Sequence, residues 1–292
     1  MNIKNKFGNK FRRLTTQKYV NLYRPTSFPF VSGDSFRNKA DHIFDEGKTL
    51  NPSKVKKNDI VFLKTELKEI FFNYYHKKIS NSYILICHNS DDSFNESDFQ
   101  FIDSKIIHCF AQKLNMPMND LISPIPSGLE NKRFRNNGKV ENFQIVKKEK
   151  NLKTRNILCS FNVHTNYPER KYLKDIIQSN QGFDVINFTD TLEYLRELSK
   201  YKYNLCPEGN NFESHRIWES LVFGTRPIVL SNFVNNNFLK LGVPLLILDS
   251  WDELLDLDTN LQNNQVLSNL NQDYYKFTQF NYWWNKILEK KI

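Results

Sequence analysis

Residues 201–231, YKYNLCPEGNNFESHRIWESLVFGTRPIVLS, decide how the chain folds. The first six residues mix aromatic and apolar side chains in the manner of a strand. Pro207 and Gly209 then stop it, because neither suits the interior of a ladder. Ser214 stands where a helix cap belongs. Ile217, Trp218, Leu221 and Val222 recur at helical spacing after it, and Gly224 is placed to end that helix in the left-handed region. Pro227-Ile228-Val229-Leu230 reads as the next strand. Strand, crossover helix and strand make a right-handed βαβ unit of a parallel sheet, whose ligands sit beyond the carboxyl ends of the strands. That place is the loop 207–212, which carries Glu208, Gly209 and Asn210.

Arg216 and Glu219 lie three apart on this helix and share a face, while Ile217 and Leu221 point towards the sheet. A basic residue in the first turn opposes the helix dipole, so Arg216 has no local electrostatic reason to be there. A bound phosphate supplies one. The guanidinium fork matches phosphate oxygens, and a carboxylate one turn further on can take two ribose hydroxyls. The competing reading is a surface ion pair between Arg216 and Glu219, worth at most about 1 kcal/mol.

The same run resembles the carboxyl-terminal motif of exostosin-like glycosyltransferases of GT-B architecture. Leu205-Cys206-Pro207, Gly209, Arg216, Glu219, Gly224 and Pro227-Ile228-Val229 match that motif in order, over about thirty residues of the chain. Fucosyltransferase-like enzymes carry a related segment. The resemblance implies two Rossmann-like domains facing a cleft and a nucleotide-sugar donor whose diphosphate meets Arg216 and whose ribose meets Glu219. It also implies transfer with inversion to a carbohydrate or glycolipid acceptor, in surface polysaccharide or glycan synthesis.

The 292 residues accommodate two ordinary domains, and 39% hydrophobic with 14% aromatic residues can build cores, which excludes a disordered chain. We place an acceptor-side domain at 1–150 and a nucleotide-sugar-binding domain at 151–292, with the last helix returning to the first. A net charge of +9 favours an anionic partner: nucleotide, nucleic acid or anionic bilayer. The four cysteines stand singly in apolar contexts without C-x-x-C spacing. They therefore read as small buried hydrophobes of a reducing compartment, and no metal site is expected. No apolar run nears the ~20 residues that span a bilayer. The expected location is cytoplasmic, or peripheral at the inner face of the membrane.

Before Asp34 there is no acidic residue, while Lys4, Lys6, Lys10, Arg12, Arg13, Lys18 and Arg24 form a basic arm. Such an arm is a solvated terminus or a contact to anionic lipid or phosphate. Residues 28–31 then read as a first strand, with Gly33 at its turn and a helix over 36–46. Asp34 is a candidate catalytic base facing the crevice, or merely a cap for that helix. Residues 83–87, YILIC, form an apolar run typical of a strand buried on both faces, and His88 leaves its carboxyl end. His88 is the first choice for a general base, its alternative being an ordinary hydrogen-bonded turn with Asn89 and Ser90.

Further strands are expected at 59–63, 105–109 and 121–125, then a Lys/Arg/Asn-rich connection over 131–155 containing the domain boundary. The second half restarts with a strand at 156–161, a helix at 168–178 and a strand at 183–188. Asn166 and Arg170 sit at the first strand-end loop of this half, Arg170 as a second phosphate contact or as an exposed helix arginine. Residues 245–248 read as a strand. The aspartates at 249, 252, 256 and 258 lack calcium-loop spacing. Residues 274–290 form an amphipathic aromatic helix.

The leading expectation is a glycosyltransferase needing no metal or other cofactor beyond its nucleotide-sugar co-substrate. The alternatives are a basic α/β module that binds nucleic acid or anionic membrane, and an inactive glycosyltransferase relative. No signature of a nucleic-acid reader accompanies the charge.

Overall fold

Strands that are apolar on both faces need cover on both faces, and β-branched, aromatic and leucine-rich runs supply them here twice over. The computed structural model describes residues 24–134, 137–178, 182–254 and 274–291. In it these runs assemble into two five-stranded, all-parallel sheets. The first contains β1 (His42–Phe44), β2 (Ile60–Lys64), β3 (Tyr83–His88), β4 (Ile106–Ala111) and β5 (Ile122–Pro124), side by side in chain order. The second contains β6 (Arg155–Cys159), β7 (Phe183–Val185), β8 (Tyr201–Leu205), β9 (Arg226–Leu230) and β10 (Leu246–Leu248). Its spatial order is β7-β6-β8-β9-β10. Strand order therefore reverses between β6 and β8, and the loops leaving these two strands part to open a crevice. With a cleft between the two sheets, the molecule has the expected GT-B-like α/β architecture.

The principal helices are α1 (Gly33–Lys39), α2 (Val140–Glu149), α3 (Tyr167–Gln178), α4 (Thr191–Leu198), α5 (His215–Val222), α6 (Phe233–Lys240) and α7 (Phe280–Leu288). On α5, Ser214 caps the start by accepting from the Arg216 N–H, and Gly224 follows with φ of 68°. Its inner face buries Ile217, Trp218, Leu221 and Val222. Trp218 meets Phe238 of α6 and Trp283 of α7 edge-on, at ring separations of 5.1 and 6.1 Å. A buried Trp removes ~150–250 Å² from water, roughly 4–6 kcal/mol at 25 cal/mol/Å² before entropy is counted. One turn earlier on α7, Phe280 packs on Phe36 of α1 at 5.3 Å, so this terminal helix touches both lobes.

Three local expectations are corrected. Residues 28–31 are not a strand: Phe30 and Ser32 make only isolated bridges, to Gln279 and Gly128, and helix α1 begins at Gly33. Pro29 has no N–H for a ladder, and Phe28 stays 54% exposed. The helix read over 36–46 ends at Lys39, and residues 42–44 form edge strand β1 because β2 offers them a ladder. The basic connection over 131–155 holds helix α2, whose Val140, Phe143 and Val146 are buried at helical spacing. Its lysines had masked that stripe.

The four cysteines are free and buried. Among the described residues no helix is long and apolar enough to cross a membrane. The basic arm before Arg24, and the aspartates at 256 and 258, lie outside the described residues.

Candidate active site between the two sheets

The loops after β6 and β8 and the first turn of α5 face the loops after β3 and β5 across a polar cleft of about 630 Å³. Arg216 and Glu219 both line it. The Arg216 Nε donates to the Ser160 carbonyl at 2.7 Å, which anchors the base of the guanidinium, and no hydrogen bond among the described residues takes its two terminal nitrogens. Among the described residues Arg216 forms no ion pair, so the Arg216–Glu219 surface pair allowed by the sequence is not made. An arginine in a cleft with no carboxylate partner is an anion site in waiting.

Glu219 is buried and accepts one hydrogen bond, from the Tyr194 hydroxyl at 3.2 Å. Burial pushes its pKa up, against the pull of Arg216 and His215. The Tyr194 phenol is pushed up as well, by burial and by the Glu219 charge. Glu219 thus keeps acceptor capacity turned into the cleft.

Arg170 lies where its loop was expected, but its work is different. It is buried, and its Nε and Nη1 donate to the carbonyls of Glu208 (2.8 Å) and Asn162 (2.7 Å), with Nη2 near that of Pro207 (3.4 Å). The side chain ties the loop after β6 to the loop after β8. Burial, then the neighbouring Arg216 charge, lowers its pKa to about 10. It is positive, unpaired by any carboxylate among the described residues, and lines the same cleft.

Gly209 and Asn210 also line the cleft. Glu208 does not: its carboxylate turns to Asn232, from which it accepts at 2.9 Å. Asn166 donates to Glu169 at 2.7 Å beside the start of α3, outside the cleft. The structure therefore gathers Arg216, Glu219, Gly209, Asn210 and Arg170, and leaves Glu208 and Asn166 supporting the loops.

The two candidate bases read from the sequence do not have a base's surroundings. His88 borders the cleft but is buried; its Nε2 donates to the Pro126 carbonyl at 2.9 Å, and its Nδ1 accepts from the Asn89 N–H at 2.7 Å. Burial pushes its pKa down to about 4. Both nitrogens being occupied, it has no lone pair to offer. Asp34 is fully buried among Arg24 (2.9 Å), Arg133 (3.1 Å) and the Asn89 amide (2.9 Å), outside the cleft lining. It pairs with two guanidinium groups, whose charge it shares with Glu46, and orients the loop after β3 through the Asn89 amide.

Two cleft residues escaped the sequence reading. Glu213 accepts from the Ser127 N–H (2.7 Å), the Ser127 hydroxyl (2.8 Å) and the Trp218 indole (2.6 Å), so it clamps the loop after β8 to the opposite lobe. His215, the first residue of α5, donates from Nδ1 to the Gly128 carbonyl of that lobe at 2.7 Å. A histidine directly beside the singled-out arginine was a legible signal for the second. Nothing local marks the role of Glu213 across the cleft, because Ser127, its partner there, is 86 positions away, although Trp218 is only five residues on.

No family model matches the sequence, and no curated protein matches it. Solved structures of distant likeness were found. The GtfA/B complex is 13% identical at a TM-score of 0.44, with 82% of this chain and 58% of that one covered. An α1,3-fucosyltransferase with GDP-fucose is 14% identical at 0.40, with 87% and 94% covered. The pneumococcal O-GlcNAc transferase GtfA with UDP and GlcNAc is 13% identical at 0.40, with 81% and 57% covered. This chain spans less than two thirds of the length of the two GtfA-containing structures.

Proposed function

We propose that the protein is a glycosyltransferase that takes a nucleotide-sugar donor in the cleft and passes the sugar to a carbohydrate hydroxyl held by the first lobe. The observation that carries this reading is the unpaired Arg216, held by its Nε at the strand-order reversal of the second sheet, with Glu219 one turn along the helix. Arg216 binds the diphosphate and stabilises the charge that builds on its oxygens as the sugar leaves, and the buried positive charge of Arg170 behind it adds to that field. Glu219 accepts from the ribose hydroxyls. Side-chain cations and backbone N–H groups take the part that a metal ion plays in other transferases, and transfer is a single displacement with inversion. Polar residues of the opposite wall, among them Asn131 and Asn137, are placed for sugar hydroxyls.

The test is a binding screen of UDP, GDP, ADP and CMP by thermal shift, followed by calorimetry on Arg216→Ala and Glu219→Gln. Two charge-assisted hydrogen bonds at a half-exposed site are worth about 2–3 kcal/mol, so Arg216→Ala should weaken the best ligand ~30- to 150-fold. Glu219→Gln should weaken nucleoside diphosphates while leaving inorganic pyrophosphate unaffected. Unchanged affinity in both variants would sink the assignment.

A further inference from the structure

The proposed transfer needs a group that removes the acceptor's proton, and neither His88 nor Asp34 is free to do so. We propose that His215 is that group, an inference that rests on the glycosyltransferase reading above. Of the two histidines lining the cleft, it is the one with an open nitrogen. A carbonyl oxygen only accepts, so the bond to Gly128 requires the proton to be on Nδ1 and leaves the lone pair on Nε2. None of the described residues hydrogen-bonds that Nε2. The ring is exposed in the cleft.

The anchor is itself rigid. Gly128 has φ of 67°, and a Cβ there would stand 2.2 Å from the Val31 carbonyl oxygen, so the peptide that receives the His215 proton has one orientation. That carbonyl fixes the ring through Nδ1–H, and Glu219 lies one turn further along the same helix.

The cleft's carboxylates are committed elsewhere. Glu213 accepts three hydrogen bonds across the lobes, and Glu130 accepts from the Asn137 N–H. Asp91 pairs with Lys113, Glu66 with Lys64, and Asp190 caps α4. Glu219 accepts from the Tyr194 hydroxyl and is taken up by the ribose in the proposed donor complex.

In the reaction the acceptor O–H bond breaks and its proton passes to Nε2. The oxygen's electron pair forms the new bond to the donor's anomeric carbon. The bond from that carbon to the phosphate oxygen breaks, and its electron pair leaves on the nucleoside diphosphate beside Arg216. Adjacent positions on one helical turn thus serve the two ends of a single displacement.

The deciding variant is His215→Asn, because the Asn amide can still donate to the Gly128 carbonyl while offering no basic nitrogen. The probes are UDP, GDP, ADP and CMP for affinity, and release of the free nucleotide (UDP, GDP, ADP or CMP) from their sugars, with mono- and disaccharide acceptors, for turnover. We expect affinity within threefold of wild type and turnover reduced at least 100-fold, in the 10²–10⁴ range of general-base catalysis. In His215→Ala, added imidazole should restore turnover, which a purely structural role would not allow. A loss below tenfold in His215→Asn, or affinity and turnover lost together, overturns the proposal and leaves the donor site standing. Wild-type protein that binds none of the four nucleotides overturns the parent reading and this one with it. If it binds but turns over nothing in the panel, nitrogen NMR decides: the Nδ1–H tautomer of His215 supports the proposal, and the Nε2–H tautomer refutes it.

Discussion

Replacing Glu213 by Ala tests whether the two lobes are held in register by a buried carboxylate. The substitution removes the acceptor of the Ser127 N–H and of the Trp218 indole N–H, both at buried positions, and of the Ser127 hydroxyl. The hydroxyl is the least affected, since its rotatable O–H can turn to a water or another acceptor while its oxygen goes on accepting from the Gln112 amide at 2.6 Å. Two buried donors left without acceptors cost roughly 1–3 kcal/mol each. Water entering from the cleft, and the end of the carboxylate's burial penalty, pull the sum down to about 2–4 kcal/mol. Glu213→Gln is milder, below about 1 kcal/mol, because the amide oxygen can serve both N–H groups and the amide nitrogen can face the hydroxyl. Burial raises the pKa of Glu213 in the folded protein above its ordinary value of 4.5. A raised carboxyl pKa favours folding most below the unfolded value and loses that contribution as pH climbs through the folded one. The stability gap between wild type and the Gln variant should therefore be widest below pH 4.5 and narrow towards neutrality. Urea unfolding followed by tryptophan fluorescence, with Trp218 itself a reporter, measures both. An Ala variant within 0.5 kcal/mol of wild type, on the order of the change at an ordinary surface site, would refute the clamp.

Two other substitutions separate structure from chemistry. Asp34→Asn removes the buried charge between Arg24 and Arg133 and should destabilise by about 3 kcal/mol, while turnover per folded molecule stays within a few-fold; a selective loss of turnover at full stability would restore Asp34 as a base. Gly128→Ala forces a side chain into a left-handed position and against the Val31 carbonyl, which should cost about 1–3 kcal/mol. It should also displace the acceptor of His215, so turnover should fall more than nucleotide affinity; equal losses in the two would separate Gly128 from the proton-accepting side of the cleft.

What the chain announced on its own is its parallel α/β character and the unit from Tyr201 to Leu230. Those features are local. Apolar runs such as 83–87 and the Ile217, Trp218, Leu221, Val222 stripe carry their periodicity within a few residues, and Ser214 and Gly224 satisfy the helix ends from the neighbouring backbone. Arg216 was legible for the same reason: a cation against the dipole of its own helix is an anomaly visible in five residues. Assembly decided the rest. Residues 42–44 became a strand only because β2 lay alongside. Arg170 spends its donors on carbonyls of two loops that the fold brings to it, Glu208 turns to Asn232, and His88 is silenced by Pro126, 38 positions away. The sequence names which side chains have chemistry to offer, but whether a donor or lone pair remains unspent depends on partners delivered by tertiary contacts, and that is what separates His215 from His88.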